Sequence, residues 1–466
     1  MKKIFIFSVL FCLVSDIPRN ESLLYFLGSI FLSASIFYFL LANSKKSATT
    51  LLVILFSSRD IWFGDGGISV VSIWQQQFSI INPSMIVMVL AIITLIKNRV
   101  KKIPKEVLFI SLIFLLMPMI AGILSGSLLD IRQMVEVIAD IKFFIMFVLG
   151  IILAYTLIIN KTYTLEEFLK VILIILFARH FVDFIYFLIG YGPYFSGLSN
   201  RVSLDSLKGG VILLIFYSFL SFSPAKKNYY MLLLALSCLL LLFIYSTRML
   251  WVTFVLGFAF IFLKSNFKFK FKALIFLILL IVVVSFIMQI SIFELQYNRF
   301  KTLTDGREES LISNLDENFL SRIDPVRYAQ YFNVWDRLLN DNSILWGQGF
   351  GGYYSNYPYV IPNTLEAAYP DYSFETNRYY KTHEMLSHIM LKFGLIGIFA
   401  YIYIHLKSFS GWINILSQNK DPLIRSYICL FPTVFLQFYW SGKNILFMGM
   451  FLVIGLIGLR LRKDVR

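Results

Sequence analysis

One of the four histidines, His383, stands with Glu384 where a long polar stretch meets an apolar run carrying Gly394-Leu395-Ile396-Gly397. A neutral imidazole at the start of a helix can take a proton from a hydroxyl group. Glu384 is the rival for that proton, or orients the imidazole. A histidine that only caps or hydrates the helix is the plainer alternative. His388 and Lys392 follow one and two turns later, and with Glu384 they form an i, i+4, i+8 row on one helical face. Ionisable groups inside apolar runs generally face a bundle interior or a cavity. Arg179, His180 and Asp183 form a second such group, read most simply as an internal i, i+4 ion pair.

Cations that suit a phosphate recur along the chain. Ser246-Thr247-Arg248 places a guanidinium between two apolar runs, and Arg201 lies in the connection Leu198-Ser199-Asn200-Arg201. The polar stretch Glu294 to Thr382 has eight basic residues, six of them Arg, including Arg299 and Arg327. Arg binds phosphate with a planar fork that Lys lacks, although Arg–Asp pairs on a folded loop, or arginines that snorkel at an interface, are the bland reading. The same stretch contains 11 of the 26 tyrosines, Tyr353 and Tyr354 among them. Tyrosine offers a flat apolar face to a sugar ring and a hydroxyl to its edge; an aromatic belt at the bilayer surface accounts for part of them. The stretch holds no Asp-x-Asp pair, so arginines rather than a metal are expected to supply positive charge.

These residues need elements that hold them. Of 466 residues 58% are hydrophobic and 15% charged, against about 45–50% and about 25% in soluble domains. The chain is read as an all-α, polytopic integral membrane protein. The formal charge of +15 is scattered between apolar runs and not gathered on one wet face, which excludes a nucleic-acid binder. Cys12, Cys238 and Cys429 all sit inside apolar runs, so neither a disulfide framework nor a spaced metal site is expected.

A spanning helix needs about 20 apolar residues. Cutting the chain at its polar interruptions yields about 14 segments, some short enough that 12 spans remain an option: Ile4–Val14, Ser22–Ala42, Ala48–Trp62, Ser79–Ile96, Val107–Gly126, Phe143–Ile159, Phe168–Ile189, Gly209–Phe222, Tyr229–Tyr245, Met249–Leu263, Ala273–Phe293, Met385–Leu406, Leu423–Phe438 and Ile445–Leu459. Connections on the N-terminal side hold 22 Lys and Arg, and the short connections opposite, the stretch 294–382 apart, hold 8. By the positive-inside bias both termini are cytoplasmic. The division is 1–293 as a bundle of 11 segments, 294–382 as one large external loop, and 383–466 as the last three segments. Within the loop, Pro325 to Asn340 reads as an amphipathic helix followed by the turn Trp346-Gly347-Gln348-Gly349-Phe350-Gly351-Gly352.

Three ordered features carry a family resemblance: Ser246-Thr247-Arg248 entering a span, the amphipathic helix leading to Gly347-Gln348-Gly349, and His383-Glu384 followed by Gly394 to Gly397. Together they resemble the O-antigen ligase and polymerase superfamily over roughly Arg201 to Phe399. Glu384 stands where the family usually has Asn, Ser or Gln, and Lys392 where an acidic residue is frequent. The resemblance implies a GT-C-like, metal-independent, hexosyltransferase-type glycosyltransferase without a cofactor, in the bacterial inner membrane. It implies undecaprenyl-pyrophosphate-linked oligosaccharide as substrate, membrane lipid around it, a chain-length regulator and a flippase as partners, and no nucleic acid. Polymerase is the first reading; transfer to lipid A core by a ligase is the alternative, and a lipid-linked sugar flippase or transporter is the third. On this reading His383 and Glu384 are catalytic, while Arg248, Arg201, Arg327, Arg299, Tyr353 and Tyr354 bind pyrophosphate and glycan.

The loop's sidedness is directly measurable. A cysteine placed at Ser355 is expected to react with an impermeant maleimide added from outside the cytosol; labelling from the cytosolic side alone would overturn the orientation.

Overall fold

The computed structural model describes residues 1–15, 22–57, 83–99, 103, 105–127, 134–188, 208–222, 228–245, 248–264, 325–360, 371–382, 385–418, 421–436 and 442–461. Among the described residues every regular element is a helix. They are α1 (Lys2–Ser15), α2 (Ser22–Leu41), α3 (Ser44–Ser57), α4 (Pro83–Lys97), α5 (Lys105–Leu124), α6 (Met134–Ile159), α7 (Leu165–Leu188), α8 (Lys208–Ser221), α9 (Tyr229–Tyr245), α10 (Arg248–Lys264), α11 (Pro325–Asn340), α12 (Asp371–Thr376), α13 (Met385–Gln418), α14 (Pro422–Ile428), α15 (Phe431–Leu436) and α16 (Gly442–Leu461). Val107–Leu124 within α5, with α6 and α13, are long and apolar enough to cross a membrane, and seven shorter apolar helices accompany them. This is an all-helical membrane protein. The expected span Ala273–Phe293 lies outside the described residues.

The helix limits correct three expectations. The sixth apolar segment, expected from Phe143, begins at Met134. Glu136, Asp140 and Lys142 had read as part of a connection, yet they lie on α6, where Glu136 and Asp140 find cationic partners on α13 and the segment before it. The twelfth segment runs on to Gln418 and contains a break at Gly394. The thirteenth is two short helices, α14 and α15; α14 starts with Asp421 accepting from the Leu423 N–H and Pro422 in its first turn, where its missing N–H costs nothing.

The packing is close because small residues line it. α16 lies between α6 and α13. A Cβ at Gly150 of α6 would overlap the Leu446 carbonyl of α16, and one at Gly411 of α13 would overlap that of Gly455. In lipid the apolar side chains gain little by meeting one another, so backbone approach through small residues is what holds such helices together. The cytosol-facing connection expected before α7 is tied by a capping box: the Glu167 N–H donates to Thr164 Oγ1, and the Thr164 N–H to Glu167 Oε2. The Thr164 N–H, with Lys45, holds the Glu167 carboxyl below its ordinary range.

Residues 325–382, where described, carry a small core of their own. Ala329, Val334 and Leu338 of α11 pack with Tyr354, Tyr379, Met390 and Leu391, so the segment is seated on the first arm of α13. Asn333 grips both backbone groups of Tyr359, donating to its carbonyl at 2.8 Å and accepting its N–H at 2.9 Å.

Overpacking should discriminate the helix contacts. Gly150→Leu and Gly411→Leu are each expected to destabilise by about 1–3 kcal/mol or more. Phe399→Leu, at a site 69% exposed, should stay within about 0.5 kcal/mol, all read by thermal unfolding in detergent.

Candidate functional site

The site is built where α13 breaks. Gly394 has φ 63° and ψ −159°, which only glycine adopts without strain, and it separates residues 385–393 from 395–418. The second arm, of 24 residues, is about 36 Å long and can span alone. The break frees backbone groups that lipid cannot satisfy, and the segment after α11 pairs them. The Gln348 and Gly349 N–H groups donate to the Leu391 and Lys392 carbonyls at 2.7 and 3.1 Å, and the Leu395 and Ile396 N–H groups donate to the Ile344 and Leu345 carbonyls at 2.9 and 3.1 Å.

Local sequence aims the chain there. α11 closes with Asn342 at φ 52°, the Ser343 N–H reaching Leu338 O and the Asn342 N–H reaching Leu339 O, a left-handed cap of the Schellman type. Gly347, Gly349 and Gly351 then all have φ near 75°, and the turn wedges between α13 and α5: the Phe350 N–H donates to Pro118 O, and Ser127 Oγ donates to Phe350 O at 2.8 Å. Gln348, itself buried, donates to Asp341 and Ser343.

Behind the turn lies a buried charged group. Asp140 of α6 accepts from Lys392 Nζ at 2.6 Å and from the Gly351 N–H at 2.9 Å; Lys392 Nζ also donates to Gly352 O at 2.7 Å. His388 Nε2 is 4.0 Å from Asp140. Breaking a buried pair of this kind by removing one partner costs about 3–5 kcal/mol. One turn before Asp140, Glu136 lies 3.8 Å from Lys381.

In front of the turn, the chain emerges at Tyr353. The guanidiniums of Arg337 and Arg378 each lie over its ring at 4.8 Å, and Arg337 is paired to Asp341 at 2.9 Å. Tyr354 and Tyr379 exchange backbone hydrogen bonds at 3.0 and 2.9 Å, joining the two sides of this surface. Burial pushes the Tyr380 phenol up, partly offset by a hydrogen bond from Arg378. Two arginines and a partly buried tyrosine ring, with Lys381 close by in sequence, thus form one cationic patch, with guanidinium groups suited to a planar or tetrahedral anion.

The residues singled out in sequence are distributed unevenly. Tyr353 is in the patch. Tyr354 is fully buried, its hydroxyl donating to Lys381 O at 3.3 Å. Arg327 is half-buried on α11, ten residues before Arg337 and so about 15 Å along the helix; Arg337 is the arginine of α11 that reaches Tyr353. Arg248 is the first residue of α10. His383, Glu384, Arg201 and Arg299 lie outside the described residues. His388 and Lys392 do share a buried face, toward Asp140. Arg179 pairs with Asp183 as expected, and donates to the last carbonyl of α3, Ser57 O, at 3.1 Å. Asp140 and Glu136 were missed; their i, i+4 spacing at the head of a long apolar run was the available signal.

Residues 230–402 match the sequence model of the family described as O-Antigen ligase. The matched part includes α10, the segment 325–382 and the break in α13. No curated protein matches the chain.

The glycines test this architecture. Gly349→Ala is expected to lose several kcal/mol, about 1–2 from the left-handed backbone and the rest from overlap with the Gly122 backbone. Gly126→Ala, also at φ 75° but with nothing within 4 Å, should lose only the first part in the same unfolding measurement.

Proposed function

We propose that this chain, which carries an O-antigen ligase domain over residues 230–402, is a polysaccharide polymerase that moves a glycan from undecaprenyl pyrophosphate to the end sugar of another lipid-linked repeat unit. The observation that supports it most is the patch formed inside the matched segment, where Arg337 and Arg378 lie over Tyr353 beside the chain that leads to His383.

In this reading the acceptor hydroxyl gives its proton to His383, with Glu384 orienting the imidazole or replacing it. The hydroxyl oxygen bonds to the anomeric carbon, and the bond from that carbon to the phosphate oxygen breaks with its electron pair leaving on undecaprenyl pyrophosphate. Arg248, with Arg201, Arg299 and Arg327, neutralises that pyrophosphate, as preorganised cations stabilise developing charge. Tyr353, its ring held between the two arginines, meets the glycan with its edge and hydroxyl; Tyr354 supports it from below. The fold is GT-C-like with about 14 spans, the loop 294–382 faces the periplasm, both termini are cytoplasmic, and the membrane is the bacterial inner membrane. A flippase delivers the substrate and a chain-length regulator stops growth. Ligation to lipid A core is the second reading, favoured by the spacing of ten residues between His383 and Gly394.

Purified protein given a synthetic lipid-linked repeat unit should lengthen it; transfer only to lipid A core would make it a ligase, and translocation without a new bond a transporter. Arg248→Ala should abolish elongation and Arg248→Lys should restore little. His383→Ala should lose roughly 10²–10⁴-fold in single-turnover rate while donor still binds. Near-normal rates in His383→Ala with a dead Glu384→Gln would move the base to Glu384.

A further inference from the structure

We propose that Asp140 and Lys392 are positioning residues, a buried clamp on the peptide 351–352 that sets where Tyr353 and its two arginines stand. The consequence for turnover rests on the function proposed above; the clamp itself does not.

Three hydrogen bonds form one continuous chain. The Gly351 N–H donates to Asp140 Oδ2, Lys392 Nζ donates to the same oxygen, and Lys392 Nζ donates onward to Gly352 O. Asp140 is 2% exposed and Lys392 0%, so water does not compete for these bonds. The clamped peptide immediately precedes Tyr353. α6 also grips the other side of the same surface, since Glu136 faces Lys381, two residues beyond Tyr379 and its bridge to Tyr354. One helix therefore registers both edges of the patch through two carboxylates a turn apart. Neither Asp140 nor Lys392 reaches solvent, so their effect on substrate passes through the backbone they hold.

The test uses the full chain in detergent, with amide exchange and elongation of a synthetic lipid-linked repeat measured on each variant. Asp140→Glu keeps the charge and the pair but moves the clamped peptide outward by a methylene. Elongation kcat should fall on the order of 10²-fold, as a displacement of about 1 Å can, with KM for the donor within threefold and the thermal midpoint lowered no further than one extra buried methylene lowers it. The double variant Asp140→Leu, Lys392→Met removes both charges together and leaves the Gly351 N–H and the Gly352 carbonyl without their side-chain partners. It should recover the folded yield lost by Lys392→Met alone, while exchange at residues 351–354 stays at least tenfold faster than wild type. Restoration of both exchange and turnover in the double variant would overturn the proposal, leaving a purely structural ion pair. A wild-type protein that elongates nothing sinks the function proposed above instead; exchange at 351–354 then still decides the clamp, unchanged rates refuting it.

Discussion

The break in α13 at Gly394 is the constraint from which the site follows. A helix interrupted inside an apolar layer leaves carbonyls and N–H groups that the lipid cannot accept, each costing several kcal/mol if unpaired. The only remedy is another stretch of polypeptide, and residues 344–349 supply it with four backbone hydrogen bonds. Once those bonds are made, the segment beyond α11 can no longer sit elsewhere. Its glycine turn must lie between α13 and α5, and Tyr353 must emerge beside Glu136 and Lys381.

The same arrangement explains the use of charge. Asp140 and Lys392 are buried, which is expensive for either alone and tolerable for the pair with a backbone donor and a backbone acceptor completing their valences. The solvent-side cations behave differently. Arg337 and Arg378 lie over an aromatic ring and remain partly exposed, where an anion can approach them. Burial thus separates charges that hold the scaffold from charges that can meet a ligand.

The helix bundle serves as a frame of unusually close contacts. Gly150, Gly411 and Gly455 let α6, α16 and α13 approach backbone to backbone, and α6 and α13 are the two helices whose ends carry Asp140 and Lys392.

Much of this was legible in the residues themselves. Apolar runs of spanning length identify an all-helical membrane protein because the hydrocarbon thickness dictates them, and the amphipathic period with Pro325 and Asn340 marks α11 at the limits it has, because caps are local chemistry. The order of Arg248, the glycine turn and the His383 element is likewise local, and it was enough for a resemblance that the family match over residues 230–402 supports. What tertiary structure decided is which partners meet. Asp140 and Glu136 look like loop residues until a cation 252 or 245 positions away neutralises them, and Tyr353 and Tyr354 are adjacent in sequence yet one faces outward and the other is sealed by Tyr379. Gly394 is legible in sequence as the first glycine of the Gly394 to Gly397 element, but only its left-handed backbone and the approach of Leu345 and Gly347 show it to be a break. Long-range pairing carries no periodic signature, since it depends on where distant segments come to rest and not on the spacing of residues along one helix.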